Sequence, residues 1–287
     1  MPVTYRPMRD EDIPTVHDVM LAAFGDLDRR LGEEYAGAQP QLGQTTIRFR
    51  RTLATDPAGC WVAERGGRVA GTAVGILRGG VWGLSMFIVD PAAQGAGIGR
   101  ELLARAVAYG ARARGHIILA SRDPRAIAAY ARLGLDLQPT VMASGRPRGV
   151  EAPPEVRDGG PGDLPLTERI DLAVRGAAHG EDLLAMLAGG SRLLVLPERA
   201  YAVALGGQVR LLAATDEAAA SLVLRGVFAR AQETGEKAMV EWITARQGWA
   251  VRTCLEAGLE LSTSAGPLFT GGDLGPLAPY LPNGAYL

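Results

Sequence analysis

The chain has 287 residues, 47% apolar and 21% charged, with a formal net charge of −1. That balance removes the electrostatic case for nucleic acid or an anionic membrane as partner, and the length predicts one large domain or two of ordinary size. Cys60 and Cys254 stand far apart without metal-ligand spacing, so neither a disulfide framework nor a metal site is expected.

The opening "MPVTYRPMRDEDIP" lacks a basic-then-apolar secretory pattern, and no apolar run is long enough to span a bilayer. A cytoplasmic protein is the expectation. "VTYRPM" then reads as a strand, and helical patterns follow over Asp10 to Phe24 and Gln44 to Thr55. "CWVAER", "VAGTAVGIL" and "VWGLSMFIV" are strand-like, and the turns "RGGR" and "RGG" join them as antiparallel hairpins. A helix over Gly97 to Arg114, the short strand "HIILA", a helix over Pro124 to Leu133 and a last strand complete the order β-α-α-β-β-β-α-β-α-β. On these patterns His17 falls on the outer face of the first helix and His116 at the start of a strand.

The pattern then repeats. "YRPMRDEDIPTVHDVMLAAFG" aligns without gaps on "VRDGGPGDLPLTERIDLAVRG", where Asp12, Pro14 and Gly25 meet Asp163, Pro165 and Gly176 at an offset of 151. "SRDPRAIAAYARLGLDL" aligns on "ARQGWAVRTCLEAGLEL" at an offset of 124, with Arg122/Arg246, Gly134/Gly258 and Leu137/Leu261 among the identities. The second copy is therefore shorter by a net 27 residues. Ala143 to Asp163, dense in Gly, Pro and charge, reads as a linker. The boundary is expected near Val150, giving domains 1–150 and 151–287.

"VDPAAQGAGIGRELL" carries glycines at 95, 97 and 99 between the fourth strand and the third helix. A loop that opens a helix exposes unpaired N–H groups, and these with the helix dipole form an anion site needing no basic side chain. A Walker loop requires Lys-Ser/Thr after the last glycine, and Arg100-Glu101 stands there. A dinucleotide fold requires G-x-G-x-x-G and an acid about 20 residues on, and neither is present. Glycines that merely let helix and strand pack closely remain an alternative.

The stretch resembles the acyl-CoA-binding motif of the GNAT superfamily of N-acyltransferases, Q/R-x-x-G-x-G/A, matched by Gln94, Gly97 and Gly99. "SRDPRAIAAYARLGL" is similar to the superfamily's next helix, with Tyr130 four residues before Gly134. The resemblance implies an α/β chain of two tandem GNAT-like domains. Each would be a mixed, mostly antiparallel sheet flanked by helices, with a splayed central strand. It implies acetyl-CoA as co-substrate, with the pantetheine on backbone groups of Phe87, Ile88 and Val89. The pyrophosphate would lie over the amides of Gly95, Ala96, Gly97, Ile98, Gly99 and Arg100. Tyr130 would be the general acid, since an unperturbed tyrosine keeps its proton at neutral pH and is close to a thiol in acidity.

Many relatives place a Glu on the fourth strand as base, and "WGLSMFIV" carries none. Ser85 remains as a relay through water, and Leu287 as a C-terminal carboxylate, since some multi-domain relatives tuck that group into the site. Asp26, Glu33 and Glu34, beyond the first helix, are candidates for binding or deprotonating the amine. The acceptor implied is a primary amine on a small molecule or peptide, on a monomer or homodimer. A non-catalytic acyl-CoA sensor is the alternative. In the second copy "TDEAAASLVLRGVFARA" has lost the Gln and glycines, and Cys254 stands where Tyr130 would be. That copy is expected to be degenerate: a scaffold for the acceptor cleft, with Cys254 a buried filler.

Overall fold

The computed structural model describes residues 2–32, 37 and 39–287. The fold is α/β with mixed, mostly antiparallel sheets, and the chain forms two compact units, residues 1–114 with 285–287, and residues 115–284.

The first unit runs β1 (Val3–Pro7), α1 (Ile13–Leu31), α2 (Leu42–Thr55), β2 (Cys60–Arg65), β3 (Arg68–Arg78), β4 (Val81–Val89) and α3 (Ile98–Tyr109). Its four strands pair antiparallel in the order β1-β2-β3-β4. Gly66-Gly67 and Gly79-Gly80 make the two hairpin turns, all four with positive φ, as two-residue turns matched to strand twist require. Ile13, Val16 and Met20 of α1, Phe49 of α2, and Leu102 and Ala106 of α3 bury one apolar stripe each, together with Val62, Val74 and Ile76 of the sheet.

Three expectations for these helices need correction. α1 does not stop at Phe24 but continues to Leu31, because the left-handed residue that ends it is Gly32 (φ 65), whose N–H reaches the carbonyls of Asp28 and Arg29. Asp26 therefore lies within the helix, paired with Arg29 (3.3 Å) and Arg30 (2.9 Å). His17 is not on the outer face: it is 8% exposed, with Nδ1 3.0 Å from Thr45 Oγ1. Finally, α3 ends at Tyr109 with Gly110 as its C-cap, a glycine that lies against the Trp82 indole, where a Cβ would come within 2.3 Å of Cγ.

Asp56, 1% exposed, ties the back of this unit together. It accepts from Leu77 N (2.8 Å), Arg78 Nη1 (2.7 Å) and Tyr109 Oη (3.0 Å). Burial pushes the Tyr109 hydroxyl up to about 12, the adjacent Asp56 charge adding to it. Asp56→Asn keeps the shape but turns a donor toward Arg78. Chemical denaturation is expected to show a loss of about 2 kcal/mol, and an unchanged midpoint would remove Asp56 from this role.

The second unit continues with β5 (Gly115–Leu119), α4 (Pro124–Ala131), β6 (Asp136–Gln138) and β7 (Thr140–Gly145). Then follow β8 (Arg157–Asp158), α5 (Leu164–Val174), α6 (Asp182–Ala188), β9 (Arg192–Leu196), β10 (Ala200–Leu205), β11 (Gln208–Ala214) and α7 (Glu217–Thr234). The last elements are β12 (Ala238–Thr244), α8 (Gly248–Glu256), β13 (Glu260–Ser262), β14 (Leu268–Gly272) and β15 (Tyr280–Leu281).

The duplication is visible in atomic detail. Arg6 grips Asp12 with two hydrogen bonds of 2.7 and 2.8 Å, and Arg157 grips Asp163 with two of 3.1 and 2.6 Å, at the offset of 151 read from the sequence. Burial works to raise the Asp12 carboxyl, but Arg6 and the Arg9 amide overcome it and hold it below the usual range. Gly134 and Gly258 take the same left-handed conformation, φ 77 and 79. One extra residue bulges β4 at Ser85 opposite β3, and one bulges β11 at Arg210 opposite β10.

The copies nevertheless exchange their last strands. β7, from the first copy, pairs with β12 and β13 of the second. β14, from the second, pairs with β5 and β6 of the first. Because the two copies share one fold, the terminal strand of either fits the edge of the other. This corrects the linker expected from Ala143: Ala143 lies in β7 at 0% exposure, and Val150 packs into the core around α7. The position near Val150 marks the sequence repeat and falls inside the second compact unit.

Candidate functional site

β4 leads directly into the glycine loop. Asp90 begins the turn: its N–H reaches Ala70 O and its carboxylate accepts from Ala92 N, each at 2.9 Å. Gln94 then donates from Nε2 to Val89 O at 3.2 Å, fastening the loop back to the strand end. Gly95 and Gly97 follow with φ 83 and 78, and Gly97 caps α3. Both are exposed, and a Cβ on either would meet nothing within 4 Å. The amides from Gly95 to Arg100 have no acceptor among the described residues. The result is an open run of donors at a positive helix end, a surface that fits a phosphate group.

Gly99 serves a different purpose. A Cβ there would stand 3.2 Å from Phe87 Cζ and 3.5 Å from Val89 Cγ2, so close packing of α3 on β4 accounts for this glycine. The packing alternative is thus right for one glycine of the three.

Backbone direction along β4 sorts the three strand residues. Asp90 N bonds Ala70 O, and Ile88 pairs with Thr72 in the same phase, so the N–H and C=O of Ile88 point into the β3 ladder. Ile88 is therefore withdrawn as a cofactor-binding residue. Phe87 and Val89 turn their backbone groups to the side away from β3.

Ser85 sits at the bulge, 4% exposed. Its hydroxyl donates to Ala285 O at 2.6 Å, and Arg48 Nη2 approaches Ser85 Oγ at 2.9 Å and also bonds the Ser85 carbonyl. With its one proton on a carbonyl, Ser85 is a tether for the chain end and not a relay through water. Nothing in the sequence singles out Arg48, one of several arginines on α2, because only the bulge shows which of them reaches β4. Leu287 is fully buried against Gly83, whose missing Cβ would lie 1.9 Å from Leu287 Cδ1. Asp26 is committed to Arg29 and Arg30, and Glu33 and Glu34 lie outside the described residues.

In the second unit Tyr130 is 5% exposed on α4, its ring edge-on to Phe269 at 5.6 Å. Burial pushes its hydroxyl above the ordinary tyrosine range, and the Asp123 charge adds to the shift. Cys254 is fully buried on α8, and burial raises its thiol to about 12, as suits an apolar filler. Among the described residues no group of three or more His, Cys, Asp or Glu is placed to hold a metal ion, and no helix is long and apolar enough to cross a membrane.

An exposed run of amides opening a helix after a bulged strand offers donors to an anion such as a phosphate group. Residues 25–135 match the model of the acetyltransferase (GNAT) family. The fold of the whole chain is similar to that of solved GNAT proteins, one of them a tandem GNAT protein. It is similar to a putative acetyltransferase from Pyrococcus horikoshii, at 18% identity over 99% of this chain and 95% of that one, TM-score 0.75. It is also similar to a GCN5-related N-acetyltransferase from Sphaerobacter thermophilus, at 16% identity over 95% of each chain, TM-score 0.59. A tandem GNAT protein from the clavulanic acid biosynthesis pathway aligns at 13% identity over 94% of this chain and 98% of that one, TM-score 0.55. A search of curated proteins found no match.

Proposed function

We propose that the chain is an N-acetyltransferase that carries an acetyl group from acetyl-CoA directly to a primary amine of a small molecule or peptide. The observation that carries this reading is the open amide run from Gly95 to Arg100, with two glycines in conformations and positions that keep side chains off it.

The cofactor supplies the activated acyl thioester. Gln94 holds the loop in shape by donating to Val89 O, the amides of the loop receive the pyrophosphate, and the Val89 N–H, facing away from β3, is offered to the pantetheine. Tyr130 returns a proton to the departing thiolate. An alkylamine sits about 3 pH units above neutrality, so a base is required and its removal of the proton costs about 4 kcal/mol.

The absence of a carboxylate on β4 favours a second reading, an acyl-CoA sensor without turnover. Incubating the protein with acetyl-CoA and a panel of primary amines separates the two. Release of free thiol dependent on an amine supports the transferase, and binding without release under every amine supports the sensor.

A further inference from the structure

The second copy has a splayed pair of strands of its own. β11 and β12 run parallel and meet only at Gln208 and Met239. Beyond that point β11 turns its free edge to β15, which pairs with it antiparallel, Leu212 opposite Leu281 and Ala213 opposite Tyr280. Ala214 N also donates to Pro279 O at 3.3 Å.

The phase of this pairing matters. Thr215 N bonds Arg199 O, so Ala213 and Thr215 direct their backbone groups to β10 and its preceding turn, and Leu212 and Ala214 direct theirs to β15. Aligning the two bulges, Ser85 on Arg210, lays Phe87 and Val89 on Leu212 and Ala214. The residues that β15 engages in the second copy are thus the equivalents of the two that face away from β3 in the first.

β15 is firmly seated. Tyr280 and Leu281 are each 2% exposed, and Tyr280 N donates to Gln247 Oε1 at 3.2 Å. The Tyr280 ring stacks on His179, whose Nδ1 lies 2.8 Å from Asp171. The helix end has its own occupant too. Where the first copy has an open glycine loop, Asp216 caps α7, accepting from Ala219 N at 2.9 Å and from Arg199 at 2.9 and 3.0 Å. These bonds, the Ala219 amide first, hold its carboxyl below the usual range, so the position carries a fixed negative charge.

We propose that Pro279–Leu281 and Asp216 are a built-in surrogate for acyl-CoA in the second copy. The strand takes the backbone positions of pantetheine, and the carboxylate takes the place of phosphate at the helix end. The second copy is therefore a permanently liganded cleft that binds no cofactor. This inference rests on the acyl-CoA reading of the first copy.

Residue-resolved hydrogen exchange on the full wild-type chain, with and without saturating coenzyme A, tests it. Leu212 and Ala214 amides are expected to be protected equally in both states, whereas the Val89 amide slows by about tenfold or more when coenzyme A is added. Calorimetry on the same sample should give one site per chain. Protection at Leu212 and Ala214 that appears only with coenzyme A, or two sites per chain, overturns the surrogate. Constant protection there with no change at Val89 and no binding heat overturns the acyl-CoA reading, and with it the surrogate's meaning. The two failures fall on different residues and are read separately.

Discussion

Gly97→Asp is expected to weaken acetyl-CoA binding by at least about 100-fold, or roughly 2.7 kcal/mol. Gly97 has φ 78, and a side chain there meets nothing within 4 Å, so the new carboxylate stands in open space at the end of α3. The left-handed backbone costs a non-glycine residue about 1–2 kcal/mol, less for Asp than for most. The fold therefore survives while the amides meant for an anion face an anion already attached. The second copy contains the natural precedent in Asp216, which caps α7. Gly99→Ala is the contrasting variant. Its methyl meets Phe87 at 3.2 Å, so the first effect expected is on stability, with affinity following only as far as β4 shifts. Wild-type affinity in Gly97→Asp, measured by calorimetry, would remove the loop amides from the cofactor site.

The second large effect belongs to Tyr130→Phe, expected to lower kcat about 1000-fold, within the range for loss of a positioned acid. The ring stays, and with it the edge-on contact to Phe269, so thermal stability and acetyl-CoA affinity should change little. A purely structural tyrosine would give the opposite split, a shifted melting temperature with kcat intact. Burial, with Asp123, raises the Tyr130 hydroxyl above its ordinary value. The folded chain thus keeps this proton above pH about 10, where the unfolded chain loses it, and the stability it contributes declines as pH rises past that value. No loss of kcat on the alkaline side below pH 10 is expected to trace to Tyr130.

Much of the architecture was legible in order. Hairpin turns, apolar periodicity and the repeated Asp-x-Pro and Ala-rich segments all act over a few residues, and local chemistry is what a sequence displays directly. The glycine loop was legible for the same reason: positive φ at Gly95 and Gly97 is a property of the backbone between a strand and a helix. Where local signals competed, the sequence misled. Gly25 resembles a helix stop, yet it sits inside α1, and Gly32 ends the helix. The Gly- and Pro-rich run after Ala143 resembles a linker, yet β7 and Val150 are buried in the second unit.

The sequence by itself therefore determined the elements, the duplication and the loop at which an anion can sit, because each is written in residues close along the chain. Tertiary structure alone decided what those pieces became. Strand exchange between β7 and β14 depends on two edges of matching shape, which no window of sequence contains. The fate of Ser85 depends on Ala285, 200 residues away. The closure of the second cleft depends on β15 meeting β11 in one phase, and a one-residue slip would have set opposite Leu212 and Ala214 residues of the β15 segment whose own backbone groups face away from β11.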